Sequence, residues 1–150
     1  MTRIVHVETD RSFAAAEYAE LMAAVHWGEP ADFPAASVNA ALEAYHFVAH
    51  VRDEVGLLVG YLCAFSDGVF GTFVGDLVVH PAARGTGVGA ALLEAVEAAF
   101  PRVPVFVLGF RDARAFFAQQ GYTDPPRPLD VLTKLDTWPE GGEIGRAADA

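Results

Sequence analysis

Little in this chain of 150 residues is basic, sulfur-bearing or continuously apolar, and each scarcity excludes something. Cys63 is its one cysteine, which rules out an intramolecular disulfide framework and a cysteine-based zinc cluster. Lys134 is its one lysine. Ten Lys and Arg residues stand against twenty Asp and Glu, for a formal net charge of −10. A nucleic-acid binder needs a clustered basic face to displace counterions, and none is present. No apolar run reaches the roughly 18 to 20 residues of a membrane span. The opening Met-Thr-Arg-Ile-Val-His lacks the apolar stretch of a signal peptide. The expectation is a cytoplasmic protein with neither nucleic acid nor membrane as partner. Charged residues are 20% of the chain and hydrophobic residues 53%, the reverse of a disordered composition. The length suits one domain. The acidic surface either attracts cationic small molecules or simply aids solubility.

The periodicity predicts a short strand at 3–7, a helix at 12–25 that Ser12 can cap, and a second helix at 35–44. Trp27-Gly-Glu-Pro-Ala-Asp-Phe-Pro34 reads as the loop between them. Strands follow at 46–52, 55–65 and 72–79, the first two joined as a hairpin through Asp53-Glu54. A helix at 88–99, a strand at 104–109, a helix at 113–120 capped by Asp112 and ended by Gly121, and a last strand at 129–135 complete the order. Strands in meander followed by alternating helix and strand argue for an α/β (α+β mixed) fold with helices on the faces of one sheet. The domain is expected to occupy 1–136, with 137–150 as a Gly-, Ala- and acid-rich tail.

Chemistry concentrates in Asp76-Leu-Val-Val-His-Pro-Ala-Ala-Arg-Gly-Thr-Gly-Val-Gly-Ala90. A strand ends near Val79, and a loop holding Arg84, Gly85, Gly87 and Gly89 opens a helix. Alternate glycines let backbone approach a ligand closely. Outward amides at a helix start, with Arg84 beside them, make an anion site suited to a pyrophosphate. Gly-Lys-Ser/Thr of a P-loop is absent. A dinucleotide fingerprint on Gly85, Gly87 and Ala90 is separated from its strand by His80 to Arg84 and has no acid in 103–110. A glycine-rich turn before an ordinary helix is the plain alternative.

The segment as a whole resembles the acetyl-CoA-binding motif of the GNAT family of N-acetyltransferases, Arg/Gln-x-x-Gly-x-Gly/Ala. Arg84-Gly-Thr-Gly87-Val-Gly89 fits that pattern without a gap, and Asp76-Leu-Val-Val-His-Pro81 is similar to the family's fourth strand. Ala115-Phe-Phe-Ala-Gln-Gln-Gly-Tyr122 resembles its second motif, a helix closing on Gly-Phe. The resemblance covers about residues 3–136. It implies a mostly antiparallel sheet of about six or seven strands with a splayed pair, flanked by about four helices. It also implies acetyl-CoA as acyl donor, no metal, a small-molecule or peptide amine as acceptor, and a homodimer as the family habit. Leu77, Val78 and Val79 would pair with the pantetheine amides, and Val79 N–H would hold the oxyanion. Arg84, Gly85, Thr86, Gly87, Val88, Gly89 and Ala90 would hold the pyrophosphate. The acceptor amine would attack the thioester directly.

The chain departs from the family in its proton donors and acceptors. The helix tyrosine falls on Phe117, which can pack on the cofactor or in the core, and the asparagine before that helix falls on Phe110. The strand position that often carries glutamate falls on Phe73. Asp76 is the nearest carboxylate and the candidate base, although alternation along a strand points it to the face opposite Phe73. Glu29 and Asp32 sit in the loop where acceptors often bind in this family. His46 and His50 lie roughly 13 Å apart on a strand at 3.3 Å per residue, too far to share a metal. Cys63 reads as a small core residue. An acyltransferase and a non-catalytic acyl-CoA binder are both compatible with these departures. A free thiol has a pKa near 8.5, so a thiolate leaves near neutral pH without a dedicated acid. Phe117→Tyr should therefore raise thiol release less than about tenfold, or 1.4 kcal/mol of barrier. A gain of several hundredfold would favour the non-catalytic binder.

Overall fold

A computed structural model describes residues 4–134. Alanine-rich sequence before residue 45 forms two helices, as its propensity dictates: α1 (Ala15–Ala24) and α2 (Ala35–Ala44). The cap of α1 is Ala14, whose N–H donates to Glu17 Oε2 at 2.7 Å. Ser12, the expected cap, instead gives its N–H and hydroxyl to Asp10 Oδ1 at 2.9 and 2.6 Å. Three antiparallel strands follow, β1 (Phe47–Arg52), β2 (Leu58–Ser66) and β3 (Thr72–Val79). Helix α3 (Val88–Ala99), strand β4 (Val105–Val107) and helix α4 (Arg114–Gln119) complete the elements. No helix among the described residues is long and apolar enough to cross a membrane.

Among the described residues the sheet has four strands in the order β1-β2-β3-β4, not six or seven. At the N-terminal end, residues 4–7 run beside the sheet, and only Glu8 pairs, exchanging both backbone hydrogen bonds with His50. The Asp10–Ser12 turn then carries the chain away. At the other end 129–134 form no strand. Pro125, Pro126 and Pro128 remove ladder donors just upstream. Residue 135, the end of the domain at 136 and the tail at 137–150 lie outside the described residues. Asp112 falls within a 3₁₀ turn at Arg111–Ala113, and α4 starts after it. Gly121 (φ 89°) does end α4: its N–H reaches Ala118 O at 3.1 Å and that of Tyr122 reaches Phe117 O at 3.0 Å. These two bonds are those of a Schellman closure.

Two apolar layers sandwich the sheet. One face packs Val51, Val59, Leu62, Val74 and Val79 against Leu92, Leu93 and Val96 of α3 and Phe117 of α4. The other packs Val48, Leu58, Tyr61, Cys63 and Val78 against Leu21 and Met22 of α1 and Val38 and Leu42 of α2. Two ladder irregularities decide which side chains go where. Val59 is extra between the pairs Val51↔Gly60 and Arg52↔Leu58, and Gly75 is extra between Cys63↔Asp76 and Ala64↔Val74.

Arg52 at the end of β1 holds the α1 layer on the sheet by donating from both guanidinium nitrogens to Glu17, at 2.6 and 3.0 Å. Arg52, and next the Ala14 N–H, draw the Glu17 carboxyl down to about 2 from its ordinary 4.5. A carboxyl depressed in the folded state adds stability above its unfolded value and loses it as pH falls through the folded one. Glu17→Gln should therefore lower the urea midpoint at pH 7 and flatten its fall between pH 4.5 and about 2. His50, buried against Phe13, is pulled below its ordinary 6.5 chiefly by burial. Its contribution falls away as pH drops below that value. Urea unfolding followed by circular dichroism across this pH range checks the difference.

Candidate active site

Strands β3 and β4 run parallel and pair over only three residues, Thr72↔Val105 to Val74↔Val107. Beyond that, β3 continues to Val79 and β4 ends. A cleft of about 170 Å³ opens where they part, walled by Gly75, Asp76 and Leu77 on one side and Leu108, Gly109 and Phe110 on the other. Trp27 and Phe117 also line it. In an antiparallel ladder, hydrogen-bonded pairs alternate with pairs whose polar groups face outward. His80 N–H donates to Val59 O at 2.7 Å, and Gly60↔Val79 and Leu62↔Leu77 are the intervening pairs. The backbone N–H and C=O of Leu77 and Val79 therefore face away from β2, into the gap. Those of Val78 face Tyr61. A larger hollow of about 390 Å³ lies elsewhere, between α1 and Leu57–Leu58. His80, at the end of β3, also lines it.

The glycine loop begins at the end of β3. His80 Nδ1 accepts the Ala82 N–H at 3.0 Å, and the Thr86 hydroxyl donates to the Ala83 carbonyl. Gly87 caps α3 at φ 91°, a conformation β-branched residues avoid. Gly85, Thr86 and Gly87 are exposed, and Arg84 and Ala90 are half-buried. Val88 and Gly89 are buried, and the Val88 side chain packs on β2. A Cβ at Gly60 would sit 2.5 Å from Val88 Cγ1, so this glycine lets the start of α3 lie directly on the strand. The first amides of α3 have no acceptor within the helix and lie at its positive end.

Asp76 lies on the same face as Phe73, not the opposite one. The extra residue, Gly75, inverts the alternation between them. Asp76 thus stands beside Cys63, whose Sγ–H donates to Asp76 Oδ2 at 3.7 Å. Burial among these groups raises the Asp76 carboxyl above the ordinary carboxylate range, against the opposing pull of the Cys63 hydrogen bond. Burial, reinforced by the Asp76 charge, pushes the Cys63 thiol up to about 12, so it stays protonated. Tyr18, Tyr45 and Tyr61 in the same layer are also raised, mainly by burial. Asp76 is therefore a carboxyl at the edge of a cleft, surrounded by groups that stay neutral.

Residues 43–124 match the acetyltransferase (GNAT) domain family. The chain belongs to the GNAT acetyltransferase family. It is 42% identical over 78 residues to the mycothiol acetyltransferase of Kineococcus radiotolerans, a stretch that is 49% of this chain and 26% of that protein. The chain thus spans about a quarter of that relative. A GNAT-family protein of Xanthomonas campestris pv. campestris superposes with a TM-score of 0.70 at 26% identity, over 90% of this chain and 95% of the other. AAC(6')-Iy, in complex with the bisubstrate analogue CoA-S-monomethyl-acetylneamine, shares the fold at 15% identity. Its TM-score is 0.66, over 89% of this chain and 100% of the other.

In this GNAT domain Phe117 has two surroundings. It packs in the core beside Phe116 and Tyr122 and forms part of the cleft wall. Phe110 lines the same cleft. Of the two loop acids, Asp32 is engaged locally, its Oδ2 accepting the Glu29 backbone N–H at 2.8 Å. His46 Nδ1 accepts the Ser66 N–H at 3.0 Å, and His50 Nδ1 lies 3.3 Å from Asp10 O. Trp27 is the cleft residue that sequence reasoning passed over, because it sits in a segment legible only as a loop. Its signal was a large aromatic side chain between turn residues.

Gly87→Val should weaken acetyl-CoA binding strongly, because the side chain is strained at φ 91° and blocks close approach to the backbone. Arg84→Ala should weaken it less, since amides at the helix start would supply most of an anion's contacts. Calorimetric titration of variants with native circular dichroism measures both, and unchanged affinity in folded Gly87→Val would remove the loop from the site.

Proposed function

We propose that this protein transfers an acetyl group from acetyl-CoA to the primary amine of a small molecule or peptide. The observation that carries this reading is the parted β3–β4 pair, with the Leu77 and Val79 backbone facing the gap and the glycine loop at its end. Pantetheine amides would complete the ladder along Leu77–Val79. Exposed amides of Gly85, Thr86 and Gly87, with Arg84, would take the pyrophosphate at the α3 dipole. The buried Val88 and Gly89 and the half-buried Ala90 would contribute backbone only. Phe117 would pack along the cofactor's thioester end.

The amine nitrogen attacks the thioester carbonyl carbon, and the carbonyl π electrons move to oxygen. Val79 N–H is the donor placed for that oxyanion. Collapse re-forms the carbonyl and breaks the C–S bond, and the CoA sulfur leaves as thiolate. The attacking nitrogen gives up its proton to Asp76, directly or through water. Burial helps here, because a carboxyl raised above its ordinary range holds a proton better. The acidic surface favours acceptors that arrive as cations; such an ammonium first gives one proton to solvent to free the lone pair that attacks, and the proton passed to Asp76 is the second. The cytoplasm is the compartment this reading assumes.

Phe117 motivates a second reading, a GNAT-like protein that binds acyl-CoA without turnover. Thiol release from acetyl-CoA over a panel of amines separates the two. Asp76→Asn discriminates further. Loss of the base should slow release by about a hundredfold. The raised carboxyl ionises less readily in the folded state, so ionised Asp76 costs stability as pH rises. Asp76→Asn should consequently melt no lower than the natural protein at pH 7. Full activity in this variant would remove Asp76 from the mechanism.

A further inference from the structure

We propose that Phe65, Phe73 and Phe106 form a shelf for the body of the acceptor, and that the acceptor is a primary amine carried on a short arm from an aromatic ring. The inference rests on the transferase reading above and names its substrate class.

Three observations carry it. First, the three rings make one row across the sheet. Phe65 pairs with Phe73 and Phe73 with Phe106, so all three lie on one face, the face that Asp76 shares. The rings of Phe73 and Phe106 stack, with centroids 5.0 Å apart and planes 13° from parallel. Second, the row is bare. Tyr45, at the end of α2, meets Phe65 at 4.7 Å, and the helical layer stops there. Phe65, Phe73 and Phe106 stay 44%, 56% and 38% exposed, while Cys63 and Val78 on the same face are buried. Contiguous exposed apolar side chains mark an interaction site, whereas single ones do not. Third, the row borders the cleft. Phe73↔Phe106 is the pair before Val74↔Val107, and the two strands part just beyond. Among the side chains that line the cleft, Asp76 alone carries a charge.

An acceptor with an ammonium and an apolar body matches both features. The ammonium is drawn to the carboxyl, and the body leaves water for the shelf. Asp76 follows Phe73 by three residues, at most roughly 10 Å along a strand. Ring-to-ring contact at about 4.5–7 Å covers around half of that distance. A two-carbon arm between ring and nitrogen covers the rest. A polar body gains nothing on such a shelf and loses hydration there.

Thiol release from acetyl-CoA is read with 2-phenylethylamine, 2-cyclohexylethylamine, ethylamine and ethanolamine. The natural protein should prefer 2-phenylethylamine to ethylamine and ethanolamine by about tenfold or more in kcat/KM. It should prefer 2-phenylethylamine to its saturated analogue by about threefold, since only an aromatic ring stacks. Phe106→Ala should raise KM for 2-phenylethylamine about tenfold and leave KM for acetyl-CoA unchanged. Phe73→Leu keeps an apolar side chain but no ring, and should erase the preference over 2-cyclohexylethylamine. Circular dichroism establishes that each variant is folded. A further readout needs no variant: 2-phenylethanol, which has the ring and no amine, should compete with 2-phenylethylamine and not with acetyl-CoA. Turnover by the natural protein without these preferences overturns this inference alone. So does a preference over ethylamine that survives undiminished in folded Phe106→Ala, or an absence of competition by 2-phenylethanol. No thiol release by the natural protein with any of the four amines removes the transferase reading, and this inference with it.

Discussion

Three residue pairs hold β4 to β3, and the ending of that ladder at Val74 and Val107 is the constraint on which the rest depends. Parallel pairing continued along β3 to its end would have consumed the backbone groups of Leu77 and Val79. Because β4 gives way to Leu108, Gly109 and a 3₁₀ turn, those groups face a cleft instead. Unpaired strand edges are normally a hazard that proteins cover. Here the edge lies inside the domain, between helical layers, where a ligand backbone of matching spacing can take the missing place.

The loop and the cleft are fixed to one another by close packing rather than by polar contacts. Val88 sits on Gly60 of β2, and Gly89 sits under Phe116 of α4, where a Cβ would lie 2.9 Å from the Phe116 ring. The start of α3 thus cannot shift along the sheet without a clash. Its free amides stay aligned with the end of β3, where the Leu77 and Val79 backbone turns outward. The anion-binding and strand-like halves of the site are in this way two ends of one rigid unit.

The chemical groups at the cleft are placed by the bulge at Gly75. It brings Asp76 onto the face shared with Cys63, Tyr18, Tyr45 and Tyr61, where burial keeps the thiol and phenols protonated. A carboxyl in such company is a poor contributor to stability when ionised and a better proton acceptor for the same reason. Trp27, in the wall of the same cleft, carries a buried indole N–H without a partner among the described residues.

By itself the sequence determined the helices at 35–44 and 88–99, the strand at 72–79 and the turn to a glycine loop. Alternation, alanine content and glycine placement are local signals that act within a few residues. The family resemblance was legible for the same reason, since Arg84 to Gly89 is one contiguous backbone conformation. Only the tertiary structure decided the number of strands, the face of Asp76 and the part played by Trp27. Pairing at the two chain ends depended on partners that the local pattern at 3–7 and 129–135 does not encode. One extra residue in a ladder reverses every side chain beyond it, and such a bulge is set by the neighbouring strand. Trp27 reaches the cleft through the closure of a helix far from it in sequence, a placement that comes from packing α1 against the sheet.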